Sequence, residues 1–214
     1  RVDDLKPGSY SYILGKGRNR KPGFPEKNQN YALRLLGAPG EARISFLFAS
    51  IPTSEQPAGW HRWTSTTGFP LDAGWHHIAV SFTFGNSKSI RGCIDGRMVS
   101  GTWDMDGATN RPPVQDNDDL VVGTGNGGGS GNTYHGAIDE LAIWREALSD
   151  ATLTSRYQFI PPPPTVKRAD LPAGQVLVQL CEAGMPARNA WPELPPPATE
   201  SYHEAAFGFF AVPH

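Results

Sequence analysis

The side chains that could do chemistry in this 214-residue chain are few and poorly spaced for it. Hydrolysing a glycoside takes two carboxylates on one face, about 5 Å apart across the bond in a retaining enzyme. Glu41-Ala42-Arg43 and Ile138-Asp139-Glu140 do not place two acids on one face of a strand. His76 and His77 are adjacent, so a strand would point them to opposite faces, where they cannot share a metal. No Gly-x-Ser-x-Gly elbow offers a serine nucleophile. The run Gly123 to Gly129 resembles a phosphate loop but lacks the following lysine and helix. Asp116, Asp118 and Asp119 lack the glycine and distal glutamate of an EF-hand and read as a solvated turn. Cys93 and Cys181 sit outside any CxxC pair. Two free buried thiols is the default reading, and a bridge between them is the alternative.

Two features survive that screen. Strand alternation puts Asp139 on the same side as Leu141 and Ile143, facing inward, with Glu140 and Trp144 opposite. An inward carboxylate needs a partner, a proton or a cation; the plainer reading is that it accepts a backbone N–H at a bend. The second feature is a set of rings and amides suited to surface recognition. Trp60, His61 and Trp63 follow a Pro/Gly loop, Trp103 lies just past a hairpin, and Tyr134 and His135 flank the glycine loop with Asn126 and Asn132. Exposed rings stack on sugars and amides bind hydroxyls. Taken singly, each tryptophan reads first as a core residue between sheets.

The elements that must position these residues are strands. Ile78, Val80, Phe82 and Phe84 share one face, Ile44, Phe46 and Phe48 another, and Tyr31, Leu33 and Leu35 a third. Asp95-Gly96 between Cys93-Ile94 and Arg97-Met98-Val99 predicts a two-residue type I′ hairpin. Leu120 to Gly123 predicts a short strand, and Tyr134 to Trp144 a longer one. A helix follows, with Ser149 as N-cap, Asp150 in the first turn, and Leu153 and Tyr157 on one face. Pro161 to Pro164 cannot continue a helix or pair in a sheet. The organisation expected is therefore a sandwich over 1–158, a Pro-rich linker over 159–174, and over 175–214 the start of a further, truncated β domain or an extended connector. Twenty-four glycines and twenty prolines suit many short strands. A net charge of −2 without a basic block argues against nucleic acid as a partner. No apolar run reaches the roughly 20 residues of a membrane span. Both ends of the sequence look like cuts.

Several stretches in order resemble the laminin-G-like jelly-roll family of the concanavalin A-like lectin/glucanase superfamily. They are Tyr12-Ile13-Leu14-Gly15-Lys16-Gly17, Tyr31 to Leu35, Ile44-Ser45-Phe46, Gly74-Trp75-His76-His77-Ile78-Ala79-Val80 and Ile94-Asp95-Gly96, closed by Tyr134 to Trp144 and Ala147 to Asp150. The resemblance implies an all-β, antiparallel β-sandwich jelly roll with one short helix after the last strand, and N-terminal strands that precede Arg1. It implies no catalysis, but recognition of a glycan or protein surface within a larger secreted or envelope multidomain protein. An architectural spacer bracing neighbouring domains is the alternative, and a glycoside hydrolase a distant third. Relatives place an acid of the final strand at a calcium site, which makes Asp139 the expected calcium ligand. Location outside the cytoplasm, in the periplasm or at a bacterial cell surface, follows from the same resemblance. The proline-rich tail is similar to junctions in large planctomycete-type cytochrome c domain proteins that carry such inserts.

Overall fold

The computed structural model describes residues 1–18, 22–72, 74–125, 132–158 and 205–209. The strands are β1 (Tyr10–Gly17), β2 (Gln29–Ala38), β3 (Glu41–Ser50), β4 (Gly59–Ser65), β5 (Phe69–Pro70), β6 (Ile78–Phe82), β7 (Arg91–Ile94), β8 (Arg97–Val99), β9 (Gly101–Met105), β10 (Leu120–Val122), β11 (Leu141–Trp144) and β12 (Ala205–Phe209); helix α1 (Asp150–Gln158) follows β11. One sheet has the order β10-β1-β2-β3-β4-β9 with β5 paired to β3, and the other runs β11-β12-β6-β7-β8. The pairings between named strands are antiparallel. The two sheets form an antiparallel β-sandwich jelly roll, as the strand patterning and the resemblance imply.

Period-two alternation builds the core. Leu14, Leu33, Leu35, Ile44, Phe46 and Phe48 from the first sheet face Ile78, Val80, Phe82 and Ile94 from the second, with Phe84 just beyond β6. The rings meet obliquely: Phe46–Phe82 centroids are 5.7 Å apart, Phe48–Phe84 5.2 Å and Phe82–Phe84 5.0 Å. Edge-to-face contacts of this kind add to the gain from area burial. The Asp95-Gly96 turn has φ of 48° and 73°, the two positive angles of a type I′ hairpin. Ser149 Oγ accepts the Thr152 N–H and caps α1, and Leu153 packs on Ala79 and Cys93. The helix thereby covers the outer side of the second sheet. Cys93 is a free, buried thiol, and burial pushes its pKa up to about 11. Cys181, the other half of the alternative bridge, lies outside the described residues.

One expectation changes. The long strand over Tyr134 to Trp144 is only β11, preceded by an isolated bridge between Val2 and Gly136. The breaks are Gly136, with φ 154°, and Glu140, with φ 51°, which take the chain out of extended geometry. For the tail, the structure adds one element and leaves the expected division into linker and further domain untested. The linker 159–174 and most of 175–214 lie outside the described residues. Residues 205–209 of that segment form β12, lying between β11 and β6 with Phe209 opposite both Leu141 and Ile78. There it satisfies the edge hydrogen bonds of both neighbours, which would otherwise be open.

Trp63 shows how tightly the layers are set. Its indole occupies space left by two glycines: a Cβ on Gly92 would lie 2.6 Å from Trp63 Cη2, and one on Gly101 2.3 Å from Cζ2. Gly92→Ala is expected to destabilise the fold by about 1–3 kcal/mol through overpacking. Thermal melts should show part of that loss recovered in the Gly92→Ala/Trp63→Phe double variant, because the two residues share one space.

Candidate functional site

The outer face of the second sheet is covered by α1; the outer face of the first has no helix over it among the described residues, although the row at its centre, Tyr12, Arg34, Ser45 and Thr64, is buried. Along β1 to β4 the residues that alternate with the core residues point there. Tyr12 stands opposite Arg34, Arg34 opposite Ser45, and Ser45 opposite Thr64, one row across four strands. Beside it Tyr12, Ala32 and Leu47 form a small cluster joined by Trp60 and Met105. Rings and guanidiniums interleave over this floor. Arg34 Cζ lies 4.4 Å from the Tyr10 ring centroid and 5.5 Å from that of Tyr12. Arg62 Cζ lies 5.2 Å from the Tyr10 centroid. Arg18, with φ 66° at the end of β1, sits 5.9 Å from the Tyr12 centroid and 5.6 Å from that of Trp60. Cation–π attraction holds each pair.

Hydrogen bonds set the rings' positions. Tyr12 Oη receives a bond from Arg18 Nη1 and donates to Gln29 Oε1 at 3.4 Å. Gln29 Nε2 donates to the carbonyls of Lys16 and Tyr31, at 2.7 and 3.0 Å. Arg62 Nε pairs with Asp104 Oδ1 at 2.6 Å, and Asp106 Oδ2 accepts the Trp60 N–H at 3.0 Å. Arg34 Nη2 donates to Ser45 Oγ at 3.1 Å. Burial holds the Arg34 guanidinium below its ordinary range, opposed by Tyr12 and Tyr10 beside it. The result is a buried polar and aromatic floor of Tyr12 and Arg34, with Tyr10, Trp60, Arg18 and Arg62 partly exposed above it.

The residues singled out from sequence do not assemble into one site. Trp60 alone of its group lies on this face. His61 and Trp63 are buried in the opposite direction. His61 is fixed by Gly107 O, 2.9 Å from Nδ1, and Ser50 Oγ, 3.0 Å from Nε2. Gly107 O can only accept, so Nδ1 carries a proton and Nε2 takes the Ser50 hydroxyl. Trp103 also turns to the core, its centroid 5.7 Å from that of Phe82. Tyr134 packs against the core with its hydroxyl donating to Arg1 O at 2.8 Å; burial lifts its pKa to about 12. His135 is exposed and Asn132 partly so. Asn126 lies outside the described residues. The patterning missed Tyr10, Tyr12, Arg18, Arg34 and Arg62. A signal was present, since Arg34 sits between the inward Leu33 and Leu35 and must face out.

Asp139 does not face inward. It is exposed, and its Oδ1 accepts the Glu140 N–H at 2.9 Å. Alternation cannot be carried back from Leu141 because Glu140 has positive φ. Among the described residues no group of three or more His, Cys, Asp or Glu side chains could hold a metal, whereas calcium takes six to eight oxygens. Among the described residues, the side chains around Asp139 do not by themselves make up a calcium site. Two cavities, one beside Tyr134 and one beside Phe84, are each about 30 Å³. Space on that scale holds a few water molecules at most, so neither admits a sugar ring. Among the described residues no helix is long and apolar enough to cross a membrane.

With that geometry in hand, residues 12–154 match the family model of the concanavalin A-like lectin/glucanases superfamily, of laminin-G type, and the chain belongs to that superfamily. No curated protein and no solved structure matches it.

The buried histidine behind α1 gives the fold a pH dependence. His77 is 1 % exposed, and burial drives its pKa from 6.5 to about 4, against the opposing pull of Asp95. Between those values the unfolded chain binds a proton that the folded chain refuses, so stability is full above about pH 6.5 and falls until about pH 4. The loss attributable to this ring is about 3 kcal/mol. Melting temperatures from pH 7 to pH 4.5 should fall less steeply for His77→Phe than for the wild type; parallel profiles would remove His77 from the account.

Proposed function

We propose that this chain is a non-catalytic recognition module of a larger multidomain protein outside the cytoplasm, at a bacterial surface or in the envelope, and that it binds a glycan on the outer face of the first sheet. The observation that carries this reading is that Tyr10 and Trp60 stand partly exposed with Arg18 and Arg62 on the outer face of the first sheet, over the buried Tyr12 and Arg34. Rings present flat apolar surface to sugar rings, and guanidiniums present fixed arrays of donors to hydroxyls. Membership of a lectin/glucanase superfamily supports the same class of ligand, although fold alone does not assign function. The acids near this face are engaged, Asp104 with Arg62 and Asp106 with the Trp60 backbone. A glycosidase would need a carboxylic acid and a carboxylate facing each other across the bond. The non-catalytic reading rests on that arrangement.

An architectural role is the second reading. It is favoured by Trp63 and Trp103, which bind the sheets together instead of facing solvent. A glycan array probed with the full chain separates the two. The recognition reading expects hits that Trp60→Ala loses by about tenfold or more, with little change in melting temperature. A blank array from a cooperatively folded chain would leave the spacer role.

A further inference from the structure

Several neighbouring strands of the sandwich are joined by very short turns. Two residues separate β2 from β3, two separate β7 from β8, and one separates β8 from β9. Turns of that length hold each pair within one copy of the chain. β12 is placed differently. It lies between β11 and β6, yet the 46 residues 159–204 separate it along the chain from α1. At about 3.3 Å per extended residue, that many residues can reach on the order of 150 Å, whereas five strands about 4.8 Å apart measure only about 20 Å across. Chain connectivity therefore does not oblige β12 to pair within its own copy.

The slot it fills is demanding and specific. Among the described residues β12 is the strand partner of β11, and it gives β6 a second neighbour opposite β7. Without it, the N–H and C=O groups along one side of β6 and of β11 would lie open, which is the usual invitation to pair with another strand. The register sets what fits. Phe207 stands opposite Val80 and Ile143, and Phe209 opposite Ile78 and Leu141; Val80 and Ile78 belong to the core. Ala206 and Gly208 stand opposite Ser81 and Ala79, and Ala79 packs beneath Leu153 of α1. Large residues thus alternate with small ones in step with the two faces of the sheet. A slip of one residue would reverse that match. A second copy of this chain carries the same five residues and meets the same requirement.

We propose that the slot between β11 and β6 accepts β12 from a second copy, so that two copies complete each other's second sheets in a strand-exchanged dimer. The exchange is reciprocal and closes on itself, and its contacts are those of the single copy made between chains. Only hydrogen bonds and packing change partners. A tethered strand faces its own slot at an effective concentration on the order of millimolar. Exchange therefore gains as the protein concentration approaches that value.

The test uses two full-length variants, Ala142→Cys and Gly208→Cys, each also carrying Cys181→Ser. Positions 142 and 208 are directly opposed, and opposed antiparallel residues lie about 4.5–5.5 Å apart at Cα, within reach of a disulfide. The two chains are unfolded, mixed and refolded at about 10 µM and about 500 µM, well below and close to the effective concentration of the tether. After oxidation, the expected result is a 142–208 linked dimer whose yield rises by roughly tenfold or more with concentration. Ala142→Cys/Gly208→Cys in one chain should link within itself at the lower concentration. No linked dimer from the mixture, while the doubly substituted chain links internally, overturns the proposal and keeps β12 in its own copy. Failure of the doubly substituted chain to link at all removes β12 from the slot and overturns it too. Light scattering on the refolded wild type reads the same equilibrium without cysteine substitutions. A dimer fraction is expected at the higher concentration and should be lost in Phe207→Pro, which takes an N–H from the β12 ladder. A wild type that stays monomeric, or a dimer that persists in Phe207→Pro, counts against exchange.

Discussion

Where the two sheets face each other, Phe46 and Phe48 of β3 meet Phe82 of β6 and Phe84 beyond it, and Trp103 closes the group. Burying these rings commits the parity of each strand that carries them. With Phe46 and Phe48 inward, Ser45, Leu47 and Ala49 must face away from the core, and pairing transmits that choice to β2 and β4. A slip of one residue on β3 would bring Ser45, Leu47 and Ala49 to the core in place of Ile44 and two rings. Large aromatic burial makes such a slip costly, so the outer face inherits its composition from the inner one.

A polar anchor does comparable work at one end of the second sheet. Asp95 holds the hairpin between β7 and β8, accepting the His77 N–H through Oδ1 and facing His76 Nδ1 through Oδ2, each within 3 Å. Asp72 grips the other side of the same imidazole, whose ring stacks on Phe69 at 4.5 Å. The bonds from Gly74 N–H and from His76 keep the Asp72 carboxyl below its ordinary range. The adjacent histidines have opposite roles, as their opposite directions require. His76 ties the loop after β5 to the hairpin, while His77 lies neutral and buried behind α1.

The molecule is therefore asymmetric in what it leaves open. Leu153 of α1 covers Ala79 and Cys93, and the Ser81 hydroxyl bonds to Leu148 O, so the second sheet's outer face is sealed. The first sheet has no helix over it among the described residues, yet its central outward row is buried. It carries partly exposed rings and guanidiniums, Tyr10, Trp60, Arg18 and Arg62, over the buried row of Tyr12, Arg34, Ser45 and Thr64, instead of the short polar residues of a purely solvated face. Local consistency holds through the core, the turns and the helix cap, and it lapses on this face. Natural proteins tend to concentrate such lapses where they bind.

What the sequence by itself determined was local and periodic. Inward stripes such as Ile78, Val80 and Phe82, the Asp-Gly turn and the Ser149 cap depend on neighbours within a few residues, and all three are in the structure. The same parity already separates Trp60 from His61 and Trp63, so their apparent cluster was legible as three residues divided between two faces. Asp139 was not legible, because its direction turns on one positive φ at Glu140 that alternation cannot foresee. Only the tertiary structure decided that Tyr12, Arg34, Ser45 and Thr64, spread over more than fifty residues, form one row. Cross-strand neighbours depend on sheet order and register, which are set by the long-range burial of the phenylalanine core, and no local spacing encodes them.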